Sequence, residues 1–348
     1  MINQTGAAAI NSKTLRLRPI LPVRIRTQPQ SANVMPDAAN PQFLYFILTS
    51  AKTATPNLTG RGKENMNRPL QMPAPTQRGT TYAAGAKYVL KTGPEAVRRL
   101  LVLHDIYGPA GRRILLKAGI APGMHVADFG CGVGAATRML ASLVGPTGSV
   151  TGIDAYDSQL HQAFRLCDEA GLQNVSFCQA DASDTELPAN SFDLVYCRFL
   201  LLHLTDPFAC LREMRRVLKP GGVIVVEDGD LATATSVPLT ALDAFASLFT
   251  RLAPLRGVDY SLAGDLFHMV KAMGFNNPEI EIHQPAIAQG ETRYLLKWSV
   301  EEAGPAFVEA GIITTEQLQQ TLYVMQKATE NPDVLILAPR MSQVWAKK

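Results

Sequence analysis

The sequence predicts an α/β fold built on a doubly wound, mainly parallel sheet. Three observations point there. Apolar runs of strand length alternate with amphipathic helical stretches through links of only a few residues. A glycine-rich turn, "VADFGCGVG" (126–134), joins the first strand to the next helix. An acid stands at the end of each of the first three strands: Asp128, Asp154 and Asp181. In such a sheet the crossovers are right-handed and a ligand sits beyond the carboxyl ends of the strands.

The elements follow in order. "EAVRRLLVLHDIYGPAGRRILLKAGI" (95–120) has helical spacing, with an interruption expected at Gly108-Pro109. A strand at 124–129 leads through the glycine turn into a helix at 134–143, stopped by Gly145 and Pro146. A strand at 149–154, a helix at 157–170 and a strand at 175–181 come next. The fourth strand is "FDLVYCR" (192–198). Asp206 caps a helix with Pro207 in its first turn, running to Leu218. "KPGG" (219–222) then turns the chain into a strand at 223–228. Helices are expected at 237–255 and 260–273, a strand at 278–286, helices at 291–310 and 315–329, and a last strand within 334–347.

Residues 1–80 read differently. They are rich in Pro, Asn, Gln and Thr, without sustained periodicity, and disorder is expected. Residues 1–65 carry eight Lys/Arg against two acids, a net of +6, although the whole chain of 348 residues carries only +3. An Arg-rich, acid-poor stretch resembles a transit peptide. The reading preferred here is a translated leader, with Met66 as the native start and Met72 the next candidate. "KE" before Met66 can be encoded by a purine-rich, ribosome-binding-like codon pair. The remaining bounds are broad. Hydrophobic residues make up 47% of the chain, enough for a substantial core. Five scattered cysteines without a C-x-x-C pair argue against a disulfide framework or a zinc site, and for a reducing, cytoplasmic location. No apolar run approaches a membrane span of ~18 residues.

The glycine turn raises the question of which ligand meets it. A dinucleotide would use Gly130, Gly132 and Ala135. S-adenosylmethionine would use the same glycines and also the acid in front of them. Asp128, two residues before Gly130, repels a pyrophosphate and attracts an ammonium. Asp154 suits ribose hydroxyls in either case, and Asp181 can accept from an adenine amino group.

"VADFGCGVG", "VTGIDAY", "FCQADAS", "FDLVYCR" and "LREMRRVLKPGGVIVVED" resemble, in this order, the motifs of class I S-adenosylmethionine-dependent methyltransferases. The resemblance covers residues 85–348. It is greatest to the small-molecule branch, which includes quinone-type C-methyltransferases and natural-product methyltransferases. It implies a Rossmann-like sheet of seven strands, the last antiparallel, with a helical lid. It also implies lid helices at 81–120 and a methyltransferase domain at 121–348, with helical insertions near 230–257 and 290–331. Asp128, Gly130, Gly132 and Gly134 match the methionine side of the cofactor site, Asp154 and Ala155 the ribose, and Asp181 and Ala182 the adenine. Arg198 matches a position whose backbone lies near the methionine. No metal is implied.

The acceptor side is less defined. His203 in "RFLLLHLTD" is the first candidate base, against the alternative of packing at a helix start. Tyr88, His104 and Tyr107 lie on the presumed cover, as acid, base or lining. Asp228, with Glu227 beside it, ends the fifth strand at the cleft. Tyr260 and Arg256 are weaker candidates. The apolar segments "YLLKWSV" and "PAFVEAGII" favour a greasy acceptor, with C-methylation of an isoprenoid or quinone-like precursor expected. Were it a diphosphate, Arg98, Arg99, Arg112 or Arg113 could bind it. O- or N-methylation of an aromatic metabolite is the alternative, and an inactive cofactor-binding protein the rival of another class. A nucleic-acid partner is disfavoured, because strand four reads "YCRF" and no basic stripe is present. The N-terminal region is a candidate for homo-oligomer assembly.

Overall fold

The computed structural model describes residues 88–348. The expectations for residues 1–80, the Met66 start included, lie outside the described residues, as do residues 81–87 of the expected lid segment. A short turn at Gly93–Glu95 leads into α1 (Val97–Lys117). The expected break at Gly108-Pro109 does not occur, and one helix runs through Pro109. An internal proline costs about 3 kcal/mol. Burial on both sides of it outweighs this: Val102, Tyr107, Ala110, Ile114 and Leu115 are all core residues, and a large apolar side chain contributes about 1.5–3 kcal/mol.

The alternating half then unfolds as expected through β1 (His125–Phe129), α2 (Ala135–Val144), β2 (Ser149–Asp154), α3 (Asp157–Glu169), β3 (Val175–Gln179), β4 (Phe192–Arg198), α4 (Pro207–Val217) and β5 (Leu218–Asp230). Asp206 caps α4 by accepting from the Ala209 N–H at 2.9 Å. β5 begins earlier than expected, so "KPGG" lies inside the strand. The β4–β5 register shifts between Phe192 and Leu194 to accommodate it. Gly221 N–H donates to the Lys348 carbonyl, and Lys348 N–H to that of Gly222.

The remaining elements are β6 (Thr235–Val237), α5 (Ala244–Arg256), α6 (Leu266–Ala272), β7 (Asn276–His283), β8 (Ala286–Ile287), α7 (Leu295–Glu309), α8 (Thr315–Glu330), β9 (Leu335–Leu337) and β10 (Arg340–Lys347). The helix expected from 237 starts only at 244. The Asp243 carboxylate gathers the Thr235 and Ser236 side chains and the Thr240 N–H, which holds the preceding segment in a capped turn. The helix expected from 260 is likewise shortened, because Asp259 ties down the Ser261 N–H and a short turn precedes α6.

The main sheet has seven strands in the order β3-β2-β1-β4-β5-β10-β7. β1 to β5 run parallel, and β10 pairs antiparallel with both β5 and β7. The last strand is thus antiparallel, as expected. The expected single strand within 334–347 splits in two, and β9 joins β6 and β8 in a small antiparallel sheet that the sequence did not announce. Along β4, Leu194 and Tyr196 pack on one side of the sheet, Val195 and Cys197 on the other. That is the signature of a strand covered on both faces. Phe249 of α5 meets Phe307 of α7 edge-on at 5.2 Å, which closes a helical layer beyond the carboxyl ends of the strands.

Candidate active site

A cavity of about 250 Å³ opens at these carboxyl ends. Its floor is the turn after β1. Gly130 has φ +67°, and a Cβ there would lie 2.8 Å from Leu200 Cδ1, so only glycine lets the turn pass under this residue. Gly132 N–H donates to Asp154 Oδ2 at 2.9 Å, and Tyr156 N–H donates to Oδ1 at 3.0 Å. One carboxylate at the end of β2 therefore fixes the turn after β1. Gly134 stands apart. It is not among the residues lining the cavity; it opens α2 with φ +76°, and a Cβ on it would meet Ala163 at 3.0 Å.

The other expected cofactor positions come together. Asp128, Gly130, Gly132, Asp154, Ala155, Asp181, Ala182 and Arg198 all line the cavity. Asp128 is 1% exposed and accepts from the Thr137 hydroxyl at 2.6 Å. Burial pushes its pKa up to about 7, against the pull of Thr137 and Arg198. Burial also raises Asp154, opposed by its backbone donors. Asp181 Oδ1 takes both the N–H and the hydroxyl of Ser183. Arg198 brings its side chain as well as its backbone. Nη2 donates to His104 Nδ1 at 2.9 Å, and Nη1 is buried with no partner among the described residues.

The acceptor-side candidates divide. His203 and Tyr88 line the cavity, their rings edge-to-face at 4.9 Å, with Tyr260 on the far side of His203 at 5.8 Å. Burial, aided by the Arg99 charge, lowers His203 to about 3, so the ring is neutral. Burial raises the Tyr88 phenol. Tyr107 presents its ring to the cavity, but its hydroxyl donates to the Pro339 carbonyl at 2.7 Å, so it is wall and tie rather than acid or base.

Two candidates lie outside the cavity lining. His104 does not line the cavity. It is lowered to about 4 by burial and by Arg198 and Arg138, and it accepts from Arg198 as a neutral ring. Asp228 does not reach the cavity either. It is fully buried and accepts the Leu202 N–H at 3.2 Å and the Gly229 N–H at 2.9 Å, which pins the turn carrying Phe199, Leu200 and His203. Glu227 is also turned away, held by the Tyr196 hydroxyl and the Gln343 amide. Tyr260 and Arg256 do not line the cavity. Arg98 pairs with Glu291 over Trp298, Arg113 lies 4.0 Å from Glu281, and Arg112 is exposed. Only Arg99 of the four arginines reaches the cavity.

The sequence missed Tyr156, Gln159 and Phe199 as lining residues. Phe199 has φ +53°, rare for an aromatic residue. Its ring stands edge-on to Tyr107 at 5.0 Å and covers Gly229, where a Cβ would clash with it. Gly229 directly after "VED" was the one available sign that something packs there.

The floor suits S-adenosylmethionine. Arg198, with an unpartnered buried N–H, suits an amino-acid carboxylate, and Asp128, in the same cavity lining, suits an ammonium. At Gly132 a Cβ would fill the space toward Leu100 at 3.6 Å, room that a ligand against bare backbone requires. Comparison with known proteins agrees. A family model described as a methyltransferase domain matches residues 120–302, more than half of the chain. The ubiquinone/menaquinone biosynthesis C-methyltransferase UbiE of Ectopseudomonas mendocina is 46% identical over 110 residues, which is 31% of this chain and 43% of that protein. A demethylmenaquinone methyltransferase of Staphylococcus aureus is 32% identical over 167 residues, 48% of this chain and 67% of that protein. Among solved structures, a putative methyltransferase of Bacillus halodurans aligns with TM-score 0.48 and 20% identity, covering 69% of this chain and 99% of its own. The turn, the three strand-end acids and the family match converge: the chain belongs to the methyltransferase-domain family, as a class I, S-adenosylmethionine-dependent member.

Proposed function

We propose that this methyltransferase transfers its methyl group to a carbon atom of an apolar small molecule, an isoprenoid or quinone-like precursor, in the cytoplasm. The observation that carries this reading is the cavity wall opposite the floor. Tyr88, Leu103, Tyr107, Phe199, Phe245 and Phe249 make it apolar and aromatic, and its one imidazole, His203, is neutral with little basicity. A hydroxyl acceptor needs a base to take its proton. A carbon nucleophile does not need one before it attacks. The two relatives named for C-methylation and menaquinone chemistry support the same direction, although the chain spans only 43% of the first.

Bound S-adenosylmethionine supplies a methyl group already activated on a cationic sulfur. The chain does the rest. Asp128, Asp154 and Asp181 orient the floor. α1, α5 and α7 exclude water, and the aromatic walls hold the acceptor in line. Those ring faces also favour positive charge that develops on an alkene carbon.

The test uses S-adenosylmethionine labelled on its methyl group, incubated with the protein and extract of the source cells. Label in the solvent-soluble fraction is expected. Label in macromolecules overturns the reading. Cofactor binding without label in any fraction favours an inactive binding protein.

A further inference from the structure

We infer that Arg99 is a specificity-determining residue whose buried guanidinium holds an oxygen atom of the acceptor, a carbonyl or a singly ionised hydroxyl. This rests on the small-molecule reading above and narrows it to oxygen-bearing acceptors. Arg99 projects from α1 into the cavity wall with a side chain only 4% exposed. Its Nε donates to Glu302 Oε2 at 2.7 Å, and the Lys91 N–H donates to the same oxygen at 3.1 Å. Glu302, on α7, thus neutralises the guanidinium and fixes its orientation. Nη2 remains. It is buried without a well-formed hydrogen bond among the described residues, although the Tyr88 hydroxyl lies beside the guanidinium and interacts with it.

A buried donor without a partner is rare in folded proteins and destabilising. Arg99 lines the same cavity as Tyr88 and His203, both of which feel its charge. A ligand oxygen on Nη2 removes the penalty. The charge balance selects the kind of oxygen. Glu302 already offsets the single positive charge, so a diphosphate would leave excess negative charge in a buried wall. A carbonyl or one oxyanion leaves little. A guanidinium that served only the α1–α7 contact would face Glu302 with two N–H groups, as arginine–carboxylate pairs commonly do. This one meets it through Nε, and Nη2 stays unpaired.

The test is equilibrium binding to the full chain saturated with S-adenosylhomocysteine, with 2-naphthol and naphthalene as probes that differ by one hydroxyl. The unmodified protein should prefer 2-naphthol by about tenfold or more, the range of a hydrogen bond to a charged group. Two variants follow. Arg99→Lys keeps a charge opposite Glu302 but removes Nη2. The double variant Arg99→Met/Glu302→Met removes the pair without stranding a buried charge. Both should reduce the preference to about threefold or less, with affinity for S-adenosylhomocysteine unchanged as the check on folding. No preference in the unmodified protein overturns the inference, as does a preference retained in either variant. If neither probe binds, the small-molecule reading fails with it. If both bind alike, only the Arg99 assignment fails.

Discussion

Replacing Asp154 with alanine separates the architecture of the glycine turn from the recognition of its ligand. The carboxylate holds the Gly132 N–H at 2.9 Å and the Tyr156 N–H at 3.0 Å, and it also lines the cavity. Alanine leaves both donors without an acceptor. Hydrogen bonds to a charged group contribute about 1.5–3 kcal/mol each when buried. Water entering from the cavity recovers part of this, so a stability loss of about 1–3 kcal/mol is expected in urea unfolding. If the same carboxylate takes ribose hydroxyls, ligand affinity falls by a further ~1.5–3 kcal/mol, or about 10- to 150-fold. Loss of the turn could mimic that drop, so the assay is a cycle. Calorimetry compares S-adenosylhomocysteine with its 2′,3′-dideoxy analogue on both proteins. The unmodified protein should penalise the analogue by at least about 1.5 kcal/mol, and Asp154→Ala should barely distinguish the two. Equal discrimination by both proteins would refute the ribose assignment.

Three further outcomes follow from the buried polar groups. Asp128 and Asp228 each titrate at about 7 in the folded protein, against 3.8 when exposed, because of burial. The folded state therefore retains protons that the unfolded chain releases, and the ligand-free protein should lose stability as pH rises from about 4 to about 7. Asp228→Asn should flatten that slope in urea unfolding, and an unchanged slope would count against it. Binding of an ammonium group beside Asp128 should expel its proton at pH ~6.5, visible as a dependence of binding enthalpy on buffer ionisation that Asp128→Asn abolishes. Arg293 donates to the carbonyls of Thr329, Ala288, Val334 and Asn331, so Arg293→Met should cost at least about 3 kcal/mol in urea unfolding. A loss below about 1 kcal/mol would show those carbonyls to be satisfied otherwise.

What the sequence revealed was local. The Asp128, Asp154 and Asp181 positions follow from strand ends, and a strand end is visible as an apolar run giving way to an acid and a turn. Gly130 and Gly132 are legible for the same reason, since the positive φ that calls for glycine arises within the turn itself. What escaped was set from a distance. Asp228 has the same local signature as Asp154, but its carboxylate is claimed by the Leu202 N–H, which sits on another turn. Pro109 reads as a break because the burial that overrides it comes from other parts of the fold. The positive φ of Phe199 depends on Gly229, and the Arg99–Glu302 pair joins residues that are 203 positions apart. The small sheet escaped because β6, β8 and β9 are each two or three residues long, too short for alternation to show.

The placement of β10 between β5 and β7 sets an order on the ribosome. α1 through β5 can assemble as they emerge, since each new strand meets a neighbour already made. β7 cannot. Among the described residues its only partner in the sheet is β10, which is synthesised after α7 and α8. For that interval β5 keeps an open edge, the kind of template on which nascent chains pair wrongly. The helices over the cavity must therefore find their places above an unfinished sheet. Closing the edge and seating the Tyr107 tie to Pro339 then fall to the same late segment, so the pocket and the sheet are completed together.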